Sequence, residues 1–282
     1  MKKLMHDNKL LIIIFLIGLL SRILFLDKYP VSMTIDEVAI GYNSYSILKT
    51  AKDEFGNFLP LAFQSIGDYK PPLLIYASMP AIAIFGLNEF GVRITTAVFG
   101  ALTILAVFAL SRELTKNIYI SLACAFLVAI SPWHIKFSRS TFEAITALFL
   151  SMVGLFLFIK SVNQKLKNFW IPSVFFALSL YAYHAQRIFT PLLVLGLFYI
   201  YRKVISQHKR PLLTFLLTGA LIILPLLIVF LNPKASIRAQ STFITRDFDI
   251  NRFLHKTGED LSITTRIFDS NFLITANFWT KR

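Results

Sequence analysis

Seven apolar stretches run through the chain, at 10–26, 94–110, 118–133, 144–159, 169–183, 188–201 and 212–231, with polar segments between them. Runs of this kind predict helices that cross a bilayer, whose hydrocarbon core of about 30 Å asks for roughly 20 residues. Several stretches are shorter and need their polar flanks to complete a crossing. The pattern predicts an all-α polytopic membrane helix bundle of about seven spans. A further apolar stretch, 71–85, is short and carries Pro71, Pro72 and Pro80, which suits a juxtamembrane helix lying along the interface. Counting it as a span packed against other helices is the alternative, and doing so inverts every loop that follows.

The basic residues decide between these two topologies. Lys2, Lys3 and Lys9 precede the first stretch, Arg112 and Lys116 separate the second and third, Lys160, Lys165 and Lys167 follow the fourth, and Arg202, Lys203, Lys209 and Arg210 follow the sixth. With 71–85 outside the membrane all of these fall on one side, which the positive-inside rule makes cytoplasmic, together with the N-terminus. The opposite, extracytoplasmic side then holds the long first loop 27–93, the segment 131–143, the turn at 184–187 and the chain from 232 onward. A multi-pass protein of the plasma membrane is expected.

Composition agrees with that class. The chain is 56% hydrophobic and 15% aromatic, which is far from a soluble domain of 282 residues. A formal charge of +14 would suit a nucleic-acid binder, but its confinement to alternate loops argues for membrane orientation instead, and no nucleic-acid partner is expected. The first stretch has the basic start and apolar core of a secretory signal, yet Ser21-Arg22-Ile23-Leu24-Phe25 offers no small-x-small cleavage site, so it reads as a retained anchor. Cys124 is the sole cysteine and lies inside an apolar stretch, so the chain has no disulfide and no thiolate metal cluster of its own. Residues 1–231 thus read as one membrane module. Segment 232–282 mixes charges with isolated aromatics such as Phe243, Phe248, Phe253 and Trp279, and reads as an outer loop or the start of a missing C-terminal part.

Candidate chemistry gathers in the outer segments. Thr34-Ile35-Asp36-Glu37 has the spacing of a capping box, which alone would account for its carboxylates, and the same cap would hold Asp36 rigidly at a helix start as a general base. In Asp68-Tyr69-Lys70-Pro71-Pro72 a lysine stands directly before a rigid Pro-Pro at the membrane boundary. Lysine suits phosphate as a compact point charge, and the competing reading is an interfacial lysine extending its head to water. Glu89 and Arg93, at i,i+4, read as a structural pair. Arg139 and Glu143 have the same spacing and are expected on one helix face, either bridged to each other or serving a ligand at the membrane edge. In Tyr181-Ala182-Tyr183-His184-Ala185-Gln186-Arg187 the tyrosines suit an aromatic belt, while His184 and Arg187, three apart, make an anion cradle with Lys70 and Arg139. With no second histidine nearby, a metal role for His184 has little support.

Taken together, Asp36-Glu37, the run Asp68-Tyr69-Lys70-Pro71-Pro72-Leu73, the segment Phe85-Gly86-Leu87-Asn88-Glu89-Phe90-Gly91-Val92-Arg93, and Ser131-Pro132-Trp133-His134 with Arg139 and Glu143 resemble the C-type glycosyltransferases of family 39, the protein mannosyltransferase and lipid A aminoarabinose transferase group. The resemblance covers roughly 10–200. It implies transfer of a sugar from a polyprenyl-phosphate carrier to a protein, lipid or polysaccharide acceptor on the extracytoplasmic face, with inversion at the sugar carbon. It further implies Asp36, with Glu37, as the catalytic carboxylates and Lys70, Arg139 and Arg187 about the donor phosphate. Asp68, Tyr69, Glu143, Tyr183 and His184 are supporting or acceptor-side candidates. No cofactor is assigned, and a divalent metal stays open. Two departures from the family pattern stand out: Tyr69 directly precedes the lysine where some relatives have an acidic residue, and Glu143 replaces a frequent aspartate. A lipid-phosphate flippase or transporter is the competing class, and a non-catalytic truncated remnant is a third. The candidate groups are expected to converge in one pocket.

Overall fold

The computed structural model describes residues 2–65 and 68–231; the side chains of 2–8, 68 and 228–231 and all of 232–282, the expected outer loop or further part, lie outside the described residues. Each apolar stretch becomes helix. The first is α1 (Lys2–Ile23), and the long loop after it contributes α2 (Ile35–Thr50), a hairpin of β1 (Phe63–Ser65) and β2 (Asp68–Lys70), and α3 (Pro72–Phe85). Then come α4 (Glu89–Thr115), α5 (Ile118–Ile130), α6 (Pro132–Arg139), α7 (Glu143–Asn163), α8 (Trp170–Ala182), α9 (Gln186–Ile200), the single turn α10 (Arg202–Ile205) and α11 (Lys209–Leu231).

Among the described residues α4, α7 and α11 are each long and apolar enough to cross a membrane, and α5 with α6 make a fourth if their 54° bend is taken as one broken span. Helix α8, at 13 residues, and α9, at 15, are apolar but reach only about 20 Å at 1.5 Å per residue. The protein is therefore a helical membrane protein. The bend has a local cause. Ser131 closes α5 and caps α6, its hydroxyl accepting from the His134 N–H, and Pro132 has no N–H to continue the ladder of α5.

Helix α4 is the hub, touching α1, α2, α3, α5, α6 and α7. Its start is set by Asn88, whose side-chain oxygen accepts the Gly91 N–H at 2.8 Å. A side chain at Gly91 would collide with the Gly86 carbonyl, so the tight entry into α4 requires glycine. Halfway along, α6 comes close enough that a methyl at Gly100 would strike Ser138. Two apolar clusters fix the rest. Phe158, Phe169, Phe176, Leu197 and Phe215 bind α7, α8, α9 and α11 together. Ile40, Ile47, Phe63, Leu74 and Ile75 seat α2 and the hairpin on α3, whose buried face also includes Ser78 and Ile82.

Candidate active site

Helix α2 begins where the Thr34 hydroxyl accepts the Glu37 N–H at 3.2 Å and the Glu37 Oε2 accepts the Thr34 N–H at 2.8 Å, the reciprocal pair of a capping box. This fixes the first turn and leaves the Asp36 side chain 52% exposed. Against it comes Lys70, carried by the last position of β2 opposite Phe63 and followed by Pro71, whose extended backbone leads into α3. Lys70 Nζ lies 2.7 Å from Asp36 Oδ1 while its own side chain is only 5% exposed. A nearly dry ammonium needs a close anion, and Asp36 supplies one. Two residues expected in separate roles, base and phosphate-binding lysine, thus meet directly.

Glu37, expected as a second catalytic carboxylate, occupies a different environment. It is fully buried, with Oε1 2.7 Å from Nε of the fully buried Arg93 and Oε2 taken by the Thr34 N–H. Arg93 donates further through Nη1 to the carbonyls of Leu26 and Pro30 and through Nη2 to that of Ser32, so its planar fork ties the loop before α2 to the start of α4. Thr141, in the turn between α6 and α7, reaches Glu37 Oε1 at 3.5 Å and the Val92 carbonyl at 3.4 Å. The expected pairing of Arg93 with Glu89 is corrected accordingly. Glu89 sits in the first turn of α4 and Arg93 turns to the long loop, where a buried carboxylate and three carbonyls satisfy more of its donors than one exposed glutamate.

Arg139 and Glu143 do not share a helix face. Arg139 ends α6 and Glu143 begins α7, with Thr141 in left-handed backbone, φ 47°, between them. Arg139 turns instead to the end of α1, donating through Nη1 to the carbonyls of Ser21, Arg22 and Leu24 and through Nη2 to those of Phe25 and Tyr29. Glu143 is buried at the start of α7.

The turn between α8 and α9 joins from the other side. His184 Nε2 lies 2.6 Å from the Tyr69 carbonyl, so this nitrogen carries the proton and donates, binding the turn to β2 one residue before Lys70. Arg187 is half-buried in the first turn of α9, its Nε directed at the Leu180 carbonyl at 3.5 Å, and desolvation holds its guanidinium below the ordinary pKa range. Tyr69, directly before Lys70, and Tyr183, directly before His184, are both half-buried, and the Asp68 side chain lies outside the described residues. An apolar cleft of about 140 Å³ lined by Met33, Val38, Gly41, Tyr42, Leu87, Asn88 and Val92 opens beside the first turns of α2. Among the described residues no group of three or more His, Cys, Asp or Glu side chains is gathered for a metal.

Two contributors were missed in the sequence. Arg22, fully buried at the end of α1, had a signal: a charge inside an apolar stretch is costly and calls for partners. Thr141 had none, being one hydroxyl among several in its segment.

A family model described as dolichyl-phosphate-mannose-protein mannosyltransferase matches residues 69–229, more than half of the chain. The chain belongs to this family. It is accordingly a C-type glycosyltransferase chain, and the match takes in Lys70, Arg93, Arg139, Glu143, His184 and Arg187 while Asp36 and Glu37 lie ahead of it. Two solved structures share its fold. One is the archaeal oligosaccharyltransferase AglB from Archaeoglobus fulgidus in complex with an inhibitory peptide and a dolichol-phosphate, at TM-score 0.63 and 19% identity over 98% of this chain. The other is the Archaeoglobus fulgidus oligosaccharyltransferase tethered to an acceptor peptide containing the NVT sequon, at TM-score 0.62 and 18% identity, again over 98%. This family member spans 37% and 38% of those two chains. No curated protein matches it.

Proposed function

We propose that the chain is the sugar-transferring membrane module of a glycosyltransferase that takes its sugar from a polyprenyl-phosphate carrier and works on the extracytoplasmic face of the plasma membrane, with its N-terminus in the cytoplasm. The observation that carries this reading is the contact of Asp36 with Lys70, 2.7 Å apart, the carboxylate half open to solvent and the ammonium seated between it and the rigid Pro71-Pro72 entry to α3. Asp36 accepts the proton of the acceptor hydroxyl or amide as the acceptor bonds to the anomeric carbon. The bond from that carbon to the phosphate oxygen breaks on the opposite face, so configuration inverts and polyprenyl phosphate departs as an anion. Lys70, with Arg187 on the turn that His184 holds to β2, supplies the positive charge that meets it. A phosphate is already a competent leaving group, so one base and two cations suffice.

The family's name, with dolichyl-phosphate-mannose as donor and protein as acceptor, supports a lipid-phosphate sugar and a peptide acceptor here. The dolichol-phosphate of the AglB complex and the acceptor peptide tethered in the second oligosaccharyltransferase structure support the same pairing. Glu37 serves by position, holding α2 to Arg93. The test is incubation of the purified protein with radiolabelled polyprenyl-phosphate sugars and fractionated envelope acceptors. Label is expected in a protein fraction, with polyprenyl phosphate released in equal amount. Label that changes leaflet in reconstituted vesicles while staying on its carrier would instead establish the flippase reading.

A further inference from the structure

Two arginines on different helices tie the ends of α1 and α5 to each other and to α6. Arg22, on the last turn of α1, is fully buried and donates to the carbonyls of Val128 at 3.0 Å and Ala129 at 3.2 Å, both in the last turn of α5. Its Nη2 also lies 2.9 Å from His134 Nδ1, which therefore accepts, so His134 is neutral with its proton on Nε2. Helix α6 starts directly past the point that Arg22 grips and ends seven residues later in Arg139, which returns to α1 and binds the carbonyls of Ser21, Arg22 and Leu24, and beyond them Phe25 and Tyr29. The contacts close a ring: α1 caps α5, α5 leads into α6, and α6 caps α1. Between them Arg139 and Arg93 bind the carbonyls of Leu24, Phe25, Leu26, Tyr29, Pro30 and Ser32, so most of the loop that delivers α2 hangs on two guanidinium forks.

We infer that Arg22 and Arg139 form a reciprocal clamp that sets the path of 24–34 and so the position of Asp36, which makes Arg139 a positioning residue and not a ligand of the donor phosphate. The catalytic half of this inference rests on the proposed function; the structural half stands without it. Both terminal nitrogens of Arg139 are engaged by carbonyls, so binding a phosphate there would strip the end of α1 of its acceptors' partners. A carbonyl cluster of this size also selects arginine: lysine has one nitrogen and reaches at most part of it.

The test uses Arg139→Lys, Arg139→Ala and Arg22→Lys in the full chain, with Asp36→Asn as the inactive control. Two quantities are read: kcat and donor KM from polyprenyl-phosphate release, and hydrogen exchange at the Thr34 and Glu37 amides, which the capping box protects, and at the Val38 amide, which the Thr34 carbonyl holds. The clamp predicts kcat lower by about 10²-fold for all three variants, since small misplacements cost that much, donor KM within about threefold of wild type, and faster exchange at those amides. Lysine is expected not to rescue. A raised donor KM with kcat retained identifies Arg139 as a phosphate ligand and overturns the inference, as does unchanged exchange at the three amides. If wild type itself transfers no sugar, the proposed function fails while the exchange data still decide the clamp. Arg139→Lys keeps the charge at a half-buried site, so it remains informative where a variant of buried Arg22 does not fold.

Discussion

Asp36 and Glu37 are neighbours in sequence with opposite surroundings: one carboxylate is half in water beside Lys70, the other is sealed against Arg93. That contrast predicts different costs. Glu37→Gln leaves the Arg93 charge buried without its anion and is expected to destabilise the protein by about 3–5 kcal/mol, read as a lower unfolding midpoint in detergent. Asp36→Asn also takes the anion from a cation, but this pair is open to water on the carboxylate side, where solvent takes up part of the Lys70 charge, so its cost is expected to be smaller. Equal stability losses in the two variants would contradict the assignment of structural and chemical roles. At this scale the sequence was partly legible. The capping box of Thr34 and Glu37 was readable because its partners are three residues apart. The Glu37 to Arg93 pair was not, because 56 residues separate them and Glu89 stood at a more obvious spacing.

Helices were legible wherever apolar residues ran on, and misread where a break was written in one or two residues. Stretch 118–133 looked continuous, yet Ser131 and Pro132 divide it into α5 and α6, and the hairpin of three-residue strands before Lys70 has too few residues for a periodic signal. The close crossing of α4 and α6 gives an element-level test. Gly100→Ala drives a methyl into Ser138 and is expected to destabilise by about 1–3 kcal/mol, as overpacking does. Adding Ser138→Gly removes the obstructing side chain, so the double variant should lose less than the sum of the singles. Strict additivity in a thermal-unfolding cycle would mean the two helices do not approach as described.

For the whole molecule, the basic loops predict orientation and the contacts predict convergence. In a Cys124→Ala background, an impermeant maleimide applied to intact cells should label Lys28→Cys and Lys136→Cys but not Lys116→Cys, all three positions being exposed on the protein. Outside labelling at 116 would mean that α3 crosses the membrane and that the topology is inverted beyond it. Convergence was legible only as an expectation that several outer segments meet; which atoms meet depended on the hairpin aiming Lys70 at α2 and on His184 holding the α8 to α9 turn to Tyr69. The role of Asp36 is tested most directly by single-turnover sugar transfer in Asp36→Asn, with carrier-lipid binding measured on the same preparation. Transfer slower by about 10²–10⁴-fold, the usual worth of a general base, with carrier affinity unchanged is expected; transfer at close to the wild-type rate would contradict Asp36 as the base.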